Sequence, residues 1–325
     1  EFAEHFHVSQ EKIELALETA KHEAPILKEA TDDTYSLYIS IPFCPSRCSY
    51  CSFVSHDIAS KRAKEILPVY VDKLCEEIAS IGKTMAKIPI TLTTVYFGGG
   101  TPTSLSPEDL DRLITKLKGT FDFSAVQEFT VEAGRPDSIT REKLEVLKKH
   151  GVGRISINPQ TMKQDTLRLI GRRHTVEDVV DRFKLAREVG FDNINMDLII
   201  GLPEETLEDV QATMEAVKAL APDSVTVHSL AIKRAARLNT MKEVYKDLKI
   251  ENTQEMIDLT ARYAREMGLE PYYLYRQKNM AGNFENVGYA APGKACIYNV
   301  LIMEEQQTII GCGAGTTTKR LFAEE

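Results

Sequence analysis

An α/β fold built on parallel strands is what this sequence predicts, from two observations: short apolar runs alternate with helical runs along most of the chain, and the unusual polar residues fall at the ends of those runs. The strand candidates are residues 36–41, 91–97, 127–131, 154–157, 193–200 and 224–230. Each is short, rich in Val, Ile, Thr or aromatic residues and bounded by Gly, Pro or polar turns. A helical stretch, 10–28, precedes the first strand. Between the first two strands, Leu67, Val71, Leu74, Ile78, Ile81 and Met85 recur three or four apart and form one apolar helical stripe. After the second, Ser106 caps a helix that opens on Pro107, Glu108 and Asp109; Thr140 and Thr206 cap later helices, and Gly151 and Gly190 close others. Six β-then-α units of this kind close into a doubly wound sheet or a barrel, complete or partial, and periodicity does not choose between them. The organisation expected is a helical segment at 1–34, a βα body at 35–268 and a small α+β appendage at 269–325, whose runs 270–277, 297–303 and 307–311 read as further strands. Because the sequence opens on Glu1 rather than Met, it reads as part of a longer chain, with the appendage incomplete.

With 325 residues and 43% hydrophobic content the chain buries a substantial core. A net charge of −8 argues against a general nucleic-acid binder. No apolar run reaches the roughly 18 residues of a membrane span, and no signal-peptide pattern opens the sequence, so a cytoplasmic location without a membrane span is expected. Six cysteines are too few for a disulfide scaffold, and three of them crowd into the eight residues 44–51, which suggests metal binding.

Those three, Cys44, Cys48 and Cys51, are spaced C-x3-C-x2-C just after the first strand. Three thiolates can hold three irons of a [4Fe–4S] cluster and leave the fourth open to a reactant. A zinc site with His56 as fourth ligand is the other reading of the same residues. After the second strand comes Gly98-Gly99-Gly100-Thr101-Pro102, whose exposed amides and missing side chains would let a polar ligand approach the backbone, or which forms a tight βα turn. Ligands of parallel α/β folds bind beyond the carboxyl ends of the strands. There the cysteine loop, the glycine run, Glu132, Gln160, Asp197 and His228 would face one cavity.

The Cys-x3-Cys-x-Tyr-Cys loop after Ile41-Pro42-Phe43, followed by Tyr96-Phe97-Gly98-Gly99-Gly100-Thr101-Pro102, resembles the radical S-adenosylmethionine (SAM) family of oxygen-independent coproporphyrinogen III oxidases and their relatives, over nearly all of 35–319. The resemblance implies a partial (β/α)6 TIM-like barrel. It also implies a [4Fe–4S] cluster on Cys44, Cys48 and Cys51 and one or two molecules of SAM, cleaved by an injected electron to a 5′-deoxyadenosyl radical that takes a hydrogen from the substrate. Carried over residue by residue, Tyr38, Tyr50 and Phe53 are expected beside the cofactor, Gly98 to Pro102 at its methionine end, and Glu132 as a SAM contact. Gln160, Arg172 and Asp197 match positions that hold a second SAM, and Gly311-Cys312-Gly313-Ala314-Gly315 a loop that closes on the site.

Within the family, 232–237 and 275–283 resemble the branch called HemZ, which implies oxidative decarboxylation of coproporphyrinogen III propionates to vinyl groups. Guanidinium groups bind carboxylates bidentately, so Arg135, Arg173, Lys233, Arg234, Arg237, Arg276 and Lys278 are expected as a basic rim for the propionates, or else form a solvated basic face. The characterised oxidase has a further Cys where this chain has Phe53, a residue shared instead with the haem-chaperone branch. That branch has a His where Tyr298 precedes Asn299 here. A porphyrinogen or haem substrate is therefore expected, with haem chaperoning or another radical SAM reaction on a tetrapyrrole as alternatives, and an electron donor such as flavodoxin or ferredoxin as partner. Cys75, Cys296 and Cys312 read as packing residues, and His174 and His228 as polar groups of the cavity.

Overall fold

The computed structural model describes residues 5, 7–53, 55–278, 280, 282 and 284–321, so Asn279, Ala281 and Asn283 of the segment 275–283 lie outside the described residues. Its strands are β1 (Thr34–Ile41), β2 (Phe43–Cys44), β3 (His56–Asp57), β4 (Thr91–Gly99), β5 (Glu128–Glu132), β6 (Arg154–Ser156), β7 (Ile194–Ile200), β8 (Ser224–Ser229), β9 (Glu270–Tyr275), β10 (Asn286–Ala290) and β11 (Thr308–Cys312). Nine of them form one sheet in the order β11-β1-β4-β5-β6-β7-β8-β10-β9, while β2 and β3 pair separately. The run from β11 to β8 is parallel throughout, and β10 and β9 add an antiparallel pair at the far edge. The six expected βα strands are present, and the sheet is open, with β11 and β9 as its edges.

Local chemistry explains the regular elements. Ser60 caps the helix Lys61–Met85, whose Val71, Leu74, Ile78 and Met85 are buried on the stripe that the sequence shows. Ser106, Thr140 and Thr206 accept hydrogen bonds from the backbone three residues on, and Gly190 ends its helix at φ 99°, a left-handed conformation that glycine adopts without strain. Fully buried Leu37, Ile39, Val95, Val131, Ile155, Leu198 and Val225 anchor β1, β4, β5, β6, β7 and β8 in the main core. Among the described residues no helix is long and apolar enough to cross a membrane.

The C-terminal region differs from expectation in three respects. Its strands join the main sheet, where Gln307 donates to Thr34 Oγ1 at 2.7 Å and Thr93 Oγ1 at 2.9 Å and so fastens the start of β11 to the strands beside it. A strand at Asn286–Ala290 appears that periodicity did not mark. And 297–303, read as a strand, is the helix Ile297–Met303. The reason lies 169 residues away: the Glu128 carboxylate on β5 accepts hydrogen bonds from the amides of Ile297 at 2.7 Å and Tyr298 at 3.2 Å, satisfying the first donors of a helix that a strand would not present. Short apolar runs suit either state, and here a distant acid decides. This helix packs on β9 and β4, with the N-terminal helix Gln10–Glu29 beside it.

Replacing Glu128 with Ala should strip the helix of both acceptors in a buried setting and lower stability by about 1–3 kcal/mol. Urea unfolding followed by circular dichroism reads this directly, and an unchanged midpoint would show that the helix forms without it.

Candidate active site

The cysteine loop is held against the glycine run by backbone contact. Gly100 N donates to Ile41 O at 2.9 Å and Thr101 N to Phe43 O at 2.8 Å. A Cβ on Gly100 would stand 2.7 Å from Phe43 O and 2.8 Å from Ile41 O, closer than such atoms approach, and Gly99 has φ +97° with Ser40 Oγ 2.5 Å from its absent Cβ. The amides of Gly100 and Thr101 are thus taken up by the loop, which is the tight-turn reading of this segment. Thr101 Oγ1 also points to Cys44 Sγ at 3.4 Å.

Arg135 fastens the same loop from below. Its guanidinium is buried and donates to Ser46 O at 3.2 Å, Ser46 Oγ at 3.0 Å and both oxygens of Asp137 at 3.0 and 2.8 Å, with Cys48 Sγ 3.6 Å away. Burial works to raise the Asp137 carboxyl, but the His174 ring 3.8 Å away and the charge and hydrogen bonds of Arg135 hold it well below the usual carboxylate range. His174 is buried behind the loop, outside the cavity lining.

Above the strand ends lies a cavity of about 600 Å³ lined by Cys44, Cys48 and Cys51. One wall is aromatic: the rings of Tyr38, Tyr96 and Tyr298 stack, with centroids 5.9 Å apart for Tyr38 and Tyr96, 6.0 Å for Tyr38 and Tyr298, and 4.5 Å for Tyr96 and Tyr298. Tyr96 Oη donates to Glu132 Oε1 at 2.7 Å. Burial pushes the Glu132 carboxyl up to about 7 against that hydrogen bond, with the Asp197 charge pushing the same way. Gly98 leaves room for this pair, since a Cβ there would lie 2.8 Å from Tyr38 Oη and 3.2 Å from Glu132 Oε1.

The opposite wall is polar. Gln160 has φ +68°, its backbone bonded to β7 through Asp197 O and Ile199 N, while its buried Oε1 has no partner. Asp197 accepts from Asn195 Nδ2 at 2.7 Å and faces His228 Nε2 at 3.9 Å. Burial lowers the His228 imidazole, and its Nδ1 lies 3.3 Å from Tyr275 Oη. Arg172 donates to Asn158 O at 2.6 Å and to Tyr50 Oη at 3.1 Å, so it locks the last turn of the cysteine loop.

Of the residues expected here, Tyr38, Tyr50, Phe53, Gly99, Gly100, Thr101, Glu132, Gln160, Arg172 and Asp197 line the cavity with the three cysteines. Gly98, Pro102 and Ala314 lie just outside, Ala314 on a loop tied to β1 by Ser40 Oγ and Tyr70 Oη. The expected basic rim is split. Lys233 lines the cavity half-buried, and Arg135 lines it only as the buried clamp just described. Arg173, Arg234, Arg237, Arg276 and Lys278 do not line it; Arg173 pairs with Asp57 at 3.5 Å and Arg276 with Glu285 at 3.7 Å. Sequence reasoning missed Arg154, Asn195, Tyr273, Tyr298 and Lys319, which also line the cavity. Arg154 and Asn195 fall on strands already recognised, so their inward parity was the available signal; Tyr298 stood only as the place where the haem-chaperone branch has a His, and Lys319 carried no signal.

The residues fit an iron–sulfur cluster better than a single ion. Among the described residues no three His, Cys, Asp or Glu side chains stand close enough to hold one metal, which sets aside the zinc site with His56. A four-iron cube takes one thiolate per iron at separate corners. Burial pushes the Cys44 and Cys51 thiols up, a cost that coordination to cationic iron removes. The orphaned Gln160 Oε1 and the open volume beside the thiols leave polar space for a second group.

Residues 38–217 match the radical SAM superfamily. The chain is 46% identical over 288 residues to the oxygen-independent coproporphyrinogen-III oxidase-like protein HemZ of Bacillus subtilis, a match covering 88% of this chain and 57% of that protein. It is 30% identical over 288 residues to the heme chaperone HemW of Lactococcus lactis, covering 87% of this chain and 69% of that one. The structure of Escherichia coli coproporphyrinogen III oxidase, HemN, superposes with a TM-score of 0.72 at 24% identity, over 90% of this chain and 66% of that one, and so shares the fold.

Two outcomes test the site. Gly100→Ala should push the cysteine loop off the glycine run, and the iron retained after anaerobic reconstitution and gel filtration should fall at least by about half while far-ultraviolet circular dichroism stays unchanged. The raised Glu132 carboxyl binds its proton more tightly in the folded state, so its stabilising share is complete below 4.5 and is lost as pH rises to about 7. Glu132→Gln should therefore gain stability relative to the parent between pH 5 and 8, and a constant difference across that range would show that the carboxyl titrates normally.

Proposed function

We propose that this chain, which belongs to the radical SAM superfamily, converts propionate side chains of coproporphyrinogen III to vinyl groups without oxygen. The observation that carries the reading is the three-thiol loop fixed on the rim of a cavity with a stacked aromatic wall and a polar wall opposite. Support for a tetrapyrrole comes from the relatives, one described as coproporphyrinogen-III oxidase-like and one as a heme chaperone.

Bound at Cys44, Cys48 and Cys51, a [4Fe–4S] cluster with SAM supplies a carbon-centred radical able to take a hydrogen atom. The chain's own residues have three tasks. Arg135 and the Gly100–Thr101 backbone keep the thiol loop from moving relative to the cavity, because a reacting atom displaced by an ångström loses orders of magnitude in rate. The tyrosine stack offers flat, rigid apolar area beside polar groups at Glu132, Asp197 and His228. Lys233, a half-buried cation of the lining, is placed to meet a carboxylate. Each vinyl group formed releases one hydrogen atom from the β-carbon, one carbon dioxide and one electron, so the reaction also needs an electron acceptor.

A second reading, haem binding without decarboxylation, is favoured by Phe53, which stands 61% exposed at the cavity where the oxidases carry a further Cys. One experiment separates the two. Anaerobically reconstituted protein incubated with SAM, dithionite and coproporphyrinogen III should yield 5′-deoxyadenosine together with mono- and divinyl porphyrinogens by liquid chromatography and mass spectrometry, both lost in Cys44→Ala. Deoxyadenosine without vinyl products, with haem taken up one per chain, would replace the oxidase reading by the chaperone one.

A further inference from the structure

We infer that Arg154 is the receptor for a ligand carboxylate at the floor of the cavity. The inference deepens the function proposed above and rests on it for the identity of the acid.

Arg154 stands on β6 opposite Thr130, and Ser156, two residues on, stands opposite Glu132, so Arg154 occupies the side-chain layer below that acid. It is 2% exposed, yet it lines the cavity with Ser156, Asn195 and Thr226. Arg135, Arg154 and Arg172 are the buried guanidinium groups among the described residues, and they are not equally provided for. Arg135 meets both oxygens of Asp137, and Arg172 donates to Asn158 O at 2.6 Å and Tyr50 Oη at 3.1 Å. Arg154 donates to Ser224 Oγ at 3.3 Å, its Nε has no partner, and no ion pair reaches it among the described residues. The carboxylates of the neighbouring strand are spent elsewhere, Glu128 on the amides of Ile297 and Tyr298 and Glu132 on Tyr96 Oη. Ser156 Oγ is buried and unpartnered as well.

A guanidinium keeps its charge at any pH a protein meets, and a buried charge without a counter-ion is costly. Water satisfies the donor but not the charge, whereas a carboxylate satisfies both and matches the planar fork. Arg154 also borders a second hollow, of about 400 Å³, at the other ends of the strands. There Lys294 faces Asp192 at 3.4 Å and Lys118 donates to His150 O at 2.7 Å, so those cations have partners. The unmet Arg154 Nε and Ser156 Oγ belong to lining residues of the thiol-bearing cavity, and the acid enters from that side. Two ligands of the proposed function carry a carboxylate, the tetrapyrrole on its propionate arms and SAM at its methionine end. A flat molecule with several acid arms slides along an aromatic wall unless one arm is fixed. A cation in the floor fixes one arm and leaves Lys233 to another.

The test measures binding rather than turnover. Reconstituted parent, Arg154→Gln and Arg154→Lys are titrated with coproporphyrin III, the stable oxidised form bearing the same propionates, by fluorescence quenching, and with SAM by equilibrium dialysis; circular dichroism reports the fold. Arg154→Gln should raise the coproporphyrin Kd about tenfold or more at low and high ionic strength alike, because a buried pair is little screened. A loss confined to SAM gives the carboxylate to the cofactor and keeps Arg154 as its receptor. Parent-like affinity for both ligands in Arg154→Gln, or a loss that vanishes at high salt, overturns the inference. If Arg154→Gln does not fold, Arg154→Lys decides in its place: an ammonium cannot reproduce the fork and should raise the Kd about threefold or more, and a folded Lys variant with parent-like affinity for both ligands overturns the inference. A parent that binds SAM but no coproporphyrin defeats the proposed function, while the SAM comparison still decides Arg154. A parent that binds neither overturns the inference.

Discussion

Everything at the site hangs on the absence of side chains at Gly99 and Gly100. The carbonyls of Ile41 and Phe43 close on the amides of Gly100 and Thr101, and the gap left by a missing Cβ at Gly100, 2.7 to 2.9 Å from three backbone atoms, is too small for any other residue. That contact joins the ends of β1 and β4, two adjacent parallel strands, and turns the chain between them into a fixed thiol-bearing loop. From the other side the buried Arg135 fork, itself held by Asp137, grips Ser46. Such a buried cation is tolerated only because each donor direction meets an oxygen or a sulfur.

The helix Ile297–Met303, packed on β9 and β4 of the open sheet, has a functional consequence. Because Glu128 on β5 receives the first amides of Ile297–Met303, that helix brings Tyr298 to the stack with Tyr38 and Tyr96 and Asn299 to the cavity lining. Cys296, read as a packing residue, is buried and points its thiol at the same carboxylate at 3.4 Å. The floor of the fold and the wall of its cavity are thus set by one acidic residue, and the strands of the C-terminal region complete the site as well as the sheet.

Electrostatics divides the basic residues by depth. Arg135, Arg154 and Arg172 are buried members of the cavity lining, Lys233 is half-buried in it, and Arg47, Arg173, Arg234 and Arg237 are exposed and outside it. A short basic run such as Lys233-Arg234-Ala235-Ala236-Arg237 does not tell which way each side chain turns. Here Ala236 is buried and Lys233 half-buried while Arg234 and Arg237 are exposed, so one run supplies both an inner and an outer cation.

The linear sequence by itself determined the βα alternation, the boundaries of β1, β4, β5, β6, β7 and β8 to within two residues and the identity of the thiol loop, because periodicity, caps and local spacing are written within a few residues of where they act. It also placed Glu132 and Gln160 after strands and Asp197 within one, and the structure brings all three to one cavity. The tertiary structure alone decided that Ile297–Met303 is a helix, that Arg135 grips the cysteine loop, and that the Gly100 amide serves the loop. Each of these is settled by a partner far away in sequence or in a neighbouring strand: Glu128 for the helix, Ser46 for Arg135, Ile41 for Gly100. A polar group's role depends on which oxygen reaches it when water is excluded, and that is fixed only once the strands are side by side.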